Sequence, residues 1–448
     1  MNNERSVSNR LEHLRSWIAG PVHTVMGKLV RASGWVLVGT VISRALAFAG
    51  SVVVARILSP ISFGQLAIIQ STGVLATGLI SGGLAVTATH FVAMHRERSP
   101  AISMHPGVSA IMLAFYGGLI GAFVVFILAD PIARYILVDT TLAHGLTLSA
   151  LYILFSSVSG VALGALYGLD EFRQASAIAI LRAALMVVFQ VAGSLWWGMD
   201  GAVAGLVASE GAVLLYISIV VVRVVRRAGY TGRWWPTRAS ARELLSFSIP
   251  ALLASTATQP ALWLTGILLA REVNGYAAVA LFNVADRFRQ ILVFLPSTLS
   301  PIALSYLSSF HGQGDSGGFR IVLKWNIIAS IAFVLPPTAL LLLFAPEALS
   351  LYGRDYAGGT TTLMILAGSS IFVALNNVLG QTLVSTGRIW WRFGFDVMLA
   401  GVLICCGYLL VPALMSEGLA HTHFIAYGVV TVGLAFFLRW RPLKIPVS

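Results

Sequence analysis

The chain has 448 residues, 57% of them apolar and only 10% charged, with a net charge of +12. A soluble domain runs at about 45–50% apolar and ~25% charged, so too little polar surface is present to cover a water-soluble globule. These values exclude a soluble enzyme, a disordered tail protein and a secreted disulfide scaffold, and they leave an all-α polytopic membrane protein.

Residues 1–33 mix Arg and Lys with Trp17, Ile18, Val22, Val25 and Leu29, a pattern that suits a cytoplasmic segment lying at the bilayer interface. Gly20 and Pro21 interrupt it, and no small-residue cleavage site ends it, so it does not read as a signal peptide. A window of about 20 apolar residues then finds twelve transmembrane helices. They cover residues 34–58, 65–91, 107–129, 146–168, 175–197, 202–225, 244–270, 276–306, 321–344, 360–384, 393–414 and 422–438. Two lobes of six helices follow, 34–225 and 244–438, joined by a basic cytoplasmic linker at 226–243 and followed by a cytoplasmic tail at 439–448. Ala55-Arg56 before Phe63-Gly64 and Ala270-Arg271 before Gly275-Tyr276 mark a similar junction in the two halves, which suggests a parallel repeat.

Loop charge orients the helices. Of 29 Lys and Arg, only Arg56, Arg134, Arg271 and Arg354 fall on loops of one parity, and Arg44, Arg182, Arg287 and Arg289 fall within spans. The remainder mark the other side as cytoplasmic, with both termini there. The net charge is therefore topological, and no nucleic-acid partner is expected. Cys405 and Cys406 lie together in an apolar run and read as inert.

The sequence carries no Walker motif, no HExxH and no paired-cysteine metal spacing. His421 and His423 near Glu417 read as polar loop residues. No catalytic residue, metal or cofactor is assigned. The longest outside loop, near 130–145, is too short for a domain, which disfavours a membrane glycan polymerase or ligase.

The informative residues are charges inside the membrane, each costing ~2.5–3.5 kcal/mol unless it faces protein or water. Arg44 shares its helix side with Ser33, Thr40, Ala47 and Ser51, a small polar stripe suited to an aqueous cavity. In the eighth span Asn283, Asp286, Arg287, Arg289 and Gln290 occupy an arc of about 160°, opposite Leu281, Val284, Ala285, Phe288 and Leu292. Asp286 and Arg289 are three apart and partly neutralise each other, which leaves Arg287 the more available cation. Arg182 and Glu210, on consecutive antiparallel helices, read as a buried pair, and Asp396 as a favourable acid near a helix start. Asp286 and Glu210 are the carboxylates to suspect for ion coupling. Gln259, Trp263, Asn376, Asn377 and Gln381, with Asn283 and Gln290, are candidates to meet saccharide hydroxyls. Pro250 and Pro260 interrupt the seventh span, Pro296 and Pro301 the eighth, and Pro336-Pro337 the ninth.

The run from Arg44 through Val54-Ala55-Arg56-Ile57-Leu58-Ser59-Pro60 to Phe63-Gly64 resembles the opening of the polysaccharide-type flippases of the multidrug/oligosaccharidyl-lipid/polysaccharide (MOP) exporter superfamily. Gly164-Ala165-Leu166-Tyr167-Gly168 with Phe172, residues 246–250, and Gly275-Tyr276 with Asp286-Arg287 agree with it. The resemblance implies two lobes around a central cavity that opens alternately to each side. It implies as partners a polyprenyl-diphosphate-linked oligosaccharide, membrane lipids, and polysaccharide polymerase and assembly proteins. Arg44 and Arg287 match positions where family members place cavity cations, with Arg289 and Arg182 looser matches for the diphosphate. His90 stands where relatives often carry a basic residue. The alternative within the superfamily is an exporter of drugs or organic cations; Arg44 at the centre of the first helix argues against it.

Overall fold

A bilayer offers backbone amides no water, so each spanning segment must bond within itself, and helices do so. The computed structural model describes residues 21–96, 100–230, 232 and 235–440, and among these there is no strand. The helices are α1 (Pro21–Ile57), α2 (Pro60–Arg96), α3 (Pro100–Pro131), α4 (Leu142–Gly168), α5 (Phe172–Arg227), α6 (Arg238–Thr256) and α7 (Gln259–Ala270). They continue as α8 (Gly275–Leu292), α9 (Phe294–Gly312), α10 (Ser316–Leu343), α11 (Ala345–Ser350), α12 (Thr360–Ser385) and α13 (Ile389–Trp440). Among the described residues, eight helices are long and apolar enough to cross a membrane. The interfacial segment expected at 1–33 lies outside the described residues up to position 20; from Pro21 the chain is already part of α1.

Two of the longest helices are hairpins. α5 turns at Trp197 and Gly198, where Gly198 adopts φ +61° and ψ −134°, a conformation a side chain would strain. Beyond the turn, Gly193 and Gly201 pack backbone to backbone, and a Cβ on either would collide with the other's carbonyl. α13 turns at Met415, with φ 53°. Both turns fall where the sequence separates the fifth from the sixth span and the eleventh from the twelfth.

The seventh span departs from the sequence reading. It breaks after Thr256, and Pro260 sits in the first turn of α7, where its missing N–H costs nothing. Pro250 passes inside α6 without ending it. The two pieces then part company. α7 packs chiefly with α13, and also with α8 and α2, whereas α6 packs on α2 and α3. Thr87 and Ser248 hydroxyls meet at 2.7 Å, and the His90 ring stacks on Phe247 at 4.8 Å with 6° between planes. A Cβ on Gly83 would collide with the Ser248 carbonyl. So the first half of the expected C-terminal lobe's opening helix docks on the N-terminal helices. The eighth span likewise divides at Val293 into α8 and α9.

α1–α5 pack among themselves and α7–α13 among themselves, forming two bundles. Between them a continuous apolar core joins Val54, Leu66 and Ile69 to Leu269, Val284, Tyr352 and Leu366 at one end. This end carries the turns at 58–59, 137–141, 271–274 and 351–353. The opposite, basic end carries 228–237 and 386–388. Aromatic and aliphatic side chains such as Phe123, Phe126, Leu215, Tyr408 and Leu409 stay exposed around the outside, as a lipid-facing surface requires.

At the core end the bundles touch through backbone. Gly64 of α2 lies against the Tyr276 carbonyl of α8, with no space for a Cβ. Gly64→Ala is expected to force the two helices apart at a cost of about 1–3 kcal/mol. A lowered thermal midpoint, read by tryptophan fluorescence, checks this; an unchanged midpoint contradicts the close approach.

Candidate functional site

Polar residues converge between the bundles in a cavity of about 310 Å³. α2 contributes Gln70 and Ser71, α7 contributes Gln259 and Trp263, and α8 contributes Asn283, Asp286, Arg287, Arg289 and Gln290; His423 comes from α13. The polar arc of α8 is what brings these groups together. Its opposite face, with Val284 and Ala285 fully buried and Phe288 and Leu292 nearly so, is held in the core. Trp263 Nε1 donates to Thr72 Oγ1 at 2.9 Å, linking α7 to α2 across the cavity.

The four candidate arginines divide into two kinds. Arg289 Nε donates to Asp286 Oδ1 at 2.7 Å, and Gln290 Nε2 donates to Asp286 Oδ2 at 2.7 Å, so both carboxylate oxygens are engaged. The Arg289 guanidinium also lies 5.9 Å from the Tyr427 ring centroid. Arg182 Nη2 is 3.1 Å from Glu210 Oε1, and Ser159 bridges them, donating to Glu210 at 2.6 Å and accepting from Arg182 at 2.9 Å. This pair sits within the α4–α5 packing and lines no part of the cavity. It is the buried pair the sequence suggested, which removes both Arg182 and Glu210 from the cavity wall.

Arg287 and Arg44 are different. Among the described residues neither makes an ion pair. Arg287 is half-buried and faces the cavity. Arg44 Nη1 donates to the Gln290 carbonyl at 3.4 Å, and its guanidinium lies 5.1 Å from the Phe294 ring. Gln290 and Phe294 are one and two turns beyond Arg287, within ~10 Å along the helix axis. Arg44 therefore reaches across from α1 toward the basic side of Arg287.

Other expected residues lie elsewhere. Asn376, on α12, accepts from Arg392 Nη1 through its carbonyl and its side-chain oxygen, both at 3.1 Å. Arg392 also holds Asp396, with Nε to Oδ2 at 2.9 Å, so Asp396 is an ion-pair partner and not merely a helix-start acid. Asn376, Asn377 and Gln381 do not line the cavity. His423 was expected in a loop; instead α13 resumes straight after Met415 and buries the ring against Phe282, 5.1 Å away. Gln70 and Ser71 are cavity residues that the sequence did not single out, and Thr72 beside them holds Trp263. The legible signal was a Gln-Ser-Thr cluster inside an otherwise apolar second span.

The cavity is sealed toward the core end. Arg56 Nε donates to the Leu351 carbonyl at 2.7 Å, Tyr356 donates to the Ala55 carbonyl at 3.3 Å, and Ser51 meets the Tyr352 hydroxyl at 2.8 Å. Phe48 packs edge-on against Phe288 and Tyr352. Beside this seal, Gln65 Nε2 donates to Asp139 Oδ2 at 2.9 Å, and the Thr141 hydroxyl donates to Asp139 Oδ1 at 2.6 Å. Burial pushes the Asp139 carboxyl up, but the hydrogen bonds from Thr141 and Gln65 outweigh it and hold the group below the usual carboxylate range. A lowered folded-state value means the contribution is complete above the unfolded value of about 3.9 and fades as pH falls below it. Asp139→Asn is therefore expected to flatten the acid limb of a thermal-midpoint profile below about pH 4. An acid limb identical to wild type contradicts this role.

The pattern of one known family, described as polysaccharide biosynthesis protein, matches residues 29–305. The chain is 20% identical over 400 residues to the EPS I polysaccharide export inner membrane protein EpsE of Ralstonia nicotianae, covering 88% of this chain and 87% of that protein. Its fold resembles that of a MATE-family multidrug resistance transporter of the MOP superfamily solved in an inward-facing conformation, with a TM-score of 0.77 at 15% identity over 91% of this chain and 98% of the other. Against an outward-facing MATE transporter the TM-score is 0.69 at 16% identity, over 92% and 95%. The protein is a multi-pass membrane protein, and it belongs to the polysaccharide biosynthesis protein family.

Proposed function

We propose that the protein is an inner-membrane flippase that moves polyprenyl-diphosphate-linked oligosaccharide units from the cytoplasmic to the periplasmic leaflet for surface polysaccharide assembly. The observation that carries this reading is the unpaired state of Arg287 in a cavity whose one carboxylate, Asp286, is fully engaged, with Arg44 outside the lining but bonded to the Gln290 carbonyl. A diphosphate supplies the missing negative charge, and guanidinium forks bind its oxygens through charge-assisted hydrogen bonds. Asn283, Gln259 and Trp263 then face the saccharide. An exporter of organic cations needs a free carboxylate in the same place.

In this reading the helices make twelve crossings with both termini in the cytoplasm, since the basic end marks the inner side. The seal at the core end is then periplasmic, and the cavity faces inward. The higher TM-score to the inward-facing transporter agrees with that orientation. Transport requires the Arg56, Ser51 and Tyr356 contacts to break while α6 closes the inner side.

A strain lacking this protein tests the reading through its extracted lipids. Accumulation of complete glycan-diphosphate-polyprenol units, cleared by the wild-type gene, is expected. Normal lipid intermediates together with altered sensitivity to organic cations would favour the cation exporter.

A further inference from the structure

Arg287 lines a second space besides the central cavity. A small cleft of about 20 Å³ is lined by Arg287 together with Gly50 and Ser51 of α1, Gln70 of α2, Gln190 of α5 and Asn283 of α8. Gly50 packs closely on the Val187 side chain, so α1 and α5 approach each other at the cleft. Its volume suits a single occupant of about the size of one water, far too small for a sugar or a diphosphate.

The lining is unbalanced in charge and in hydrogen bonding. Gln190 is 5% exposed, and its Nε2 has no acceptor in the structure. No carboxylate lines the cleft. The Asn283 amide gives one of its two N–H groups to the Val279 carbonyl, and Ser51 is tied to Phe48 and Tyr352. What the cleft offers an occupant is therefore an orphan N–H donor beside an uncompensated guanidinium. Water satisfies the first need and not the second; an anion satisfies both.

We propose that this cleft is a binding site for one small inorganic anion of chloride size, held between Arg287 and the Gln190 amide. The ion neutralises Arg287 while the central cavity is empty, so that a cation need not stand bare inside the membrane between substrates. The site stands on the cleft alone, whatever cargo the central cavity takes.

The test uses full-length protein in detergent, exchanged into sodium gluconate and titrated with sodium chloride or bromide at constant ionic strength, with the thermal midpoint as readout. Constant ionic strength removes general screening from the comparison. A saturable rise of several degrees with chloride and bromide, absent with gluconate, is expected from ligand linkage. Gln190→Leu should weaken the apparent halide affinity at least about tenfold by removing the donor. Gln190→Glu supplies a permanent counter-ion, so its midpoint without halide should match or exceed the chloride-saturated wild type and no longer respond. Equal halide responses in wild type and both variants would overturn the proposal. So would a crystal grown at saturating bromide with no anomalous peak in the cleft, a result that means water alone and that does not depend on either variant folding.

Discussion

Arg287→Ala is expected to lower lipid-linked oligosaccharide flipping by about 10–100-fold while the protein remains folded. The estimate follows from losing one or two hydrogen bonds to a charged group, each worth roughly 1.5–3 kcal/mol. Nothing in the fold depends on Arg287 for charge balance, because it has no carboxylate partner to orphan. Arg287→Lys keeps the charge and loses the fork, so an intermediate rate is expected. Arg289→Ala should behave in the opposite way. Removing it strands Asp286, and breaking such a buried pair costs roughly 3–5 kcal/mol, read as a large fall in thermal midpoint or in yield. Two arginines two residues apart are thus separable, one by transport and the other by stability. Equal stability losses in both would remove the basis for treating Arg287 as the available cation.

Tying α6 to α2 is expected to stop transport altogether. The Thr87 and Ser248 hydroxyls are 2.7 Å apart on short side chains, within range of a disulfide if both become cysteine. The background needs Cys405 and Cys406 replaced, since both are free. Oxidised Thr87→Cys/Ser248→Cys protein should flip no lipid, and reduction should restore it. The reason is that closing the inner side must carry α6 away from α2, the break after Thr256 leaving α6 free to move apart from α7. Full activity in the cross-linked protein would mean that α6 stays with the first bundle throughout the cycle.

Much of this architecture was legible because lipid imposes a simple code. Apolar length marked the helices, and the turns at Gly198 and Met415 fall in the gaps that composition left. Helical periodicity placed Asp286, Arg287, Arg289 and Gln290 on one face of α8, and the three-residue spacing foretold the Asp286–Arg289 pair. The Arg182–Glu210 pair was legible for a related reason, since two charges at similar depth on adjacent helices have few other partners. What could not be read were relations between distant segments. Nothing local shows that α6 leaves its own bundle, since Pro250 and Pro260 look alike in sequence and only the second marks the break. His423 was misplaced because the last hairpin turns on Met415, a residue with no turn signal. By sequence alone Asn376 suits a sugar contact, but its oxygen serves Arg392 from the next helix, a pairing that only packing reveals. The cleft beside Arg287 depends on Gln190, one glutamine in an apolar span, whose missing partner only tertiary structure reveals.

The most direct measurement is translocation itself. Purified protein reconstituted into liposomes that carry a fluorescent oligosaccharide-diphosphate-polyprenol in one leaflet would be assayed by how quickly that label reaches the other. The account predicts transfer that depends on the protein, falls about 10–100-fold in Arg287→Ala, and ignores the same glycan on a lipid lacking phosphate. Equal transfer by wild type and Arg287→Ala, or equal transfer of the phosphate-free lipid, would contradict a cavity built around the diphosphate.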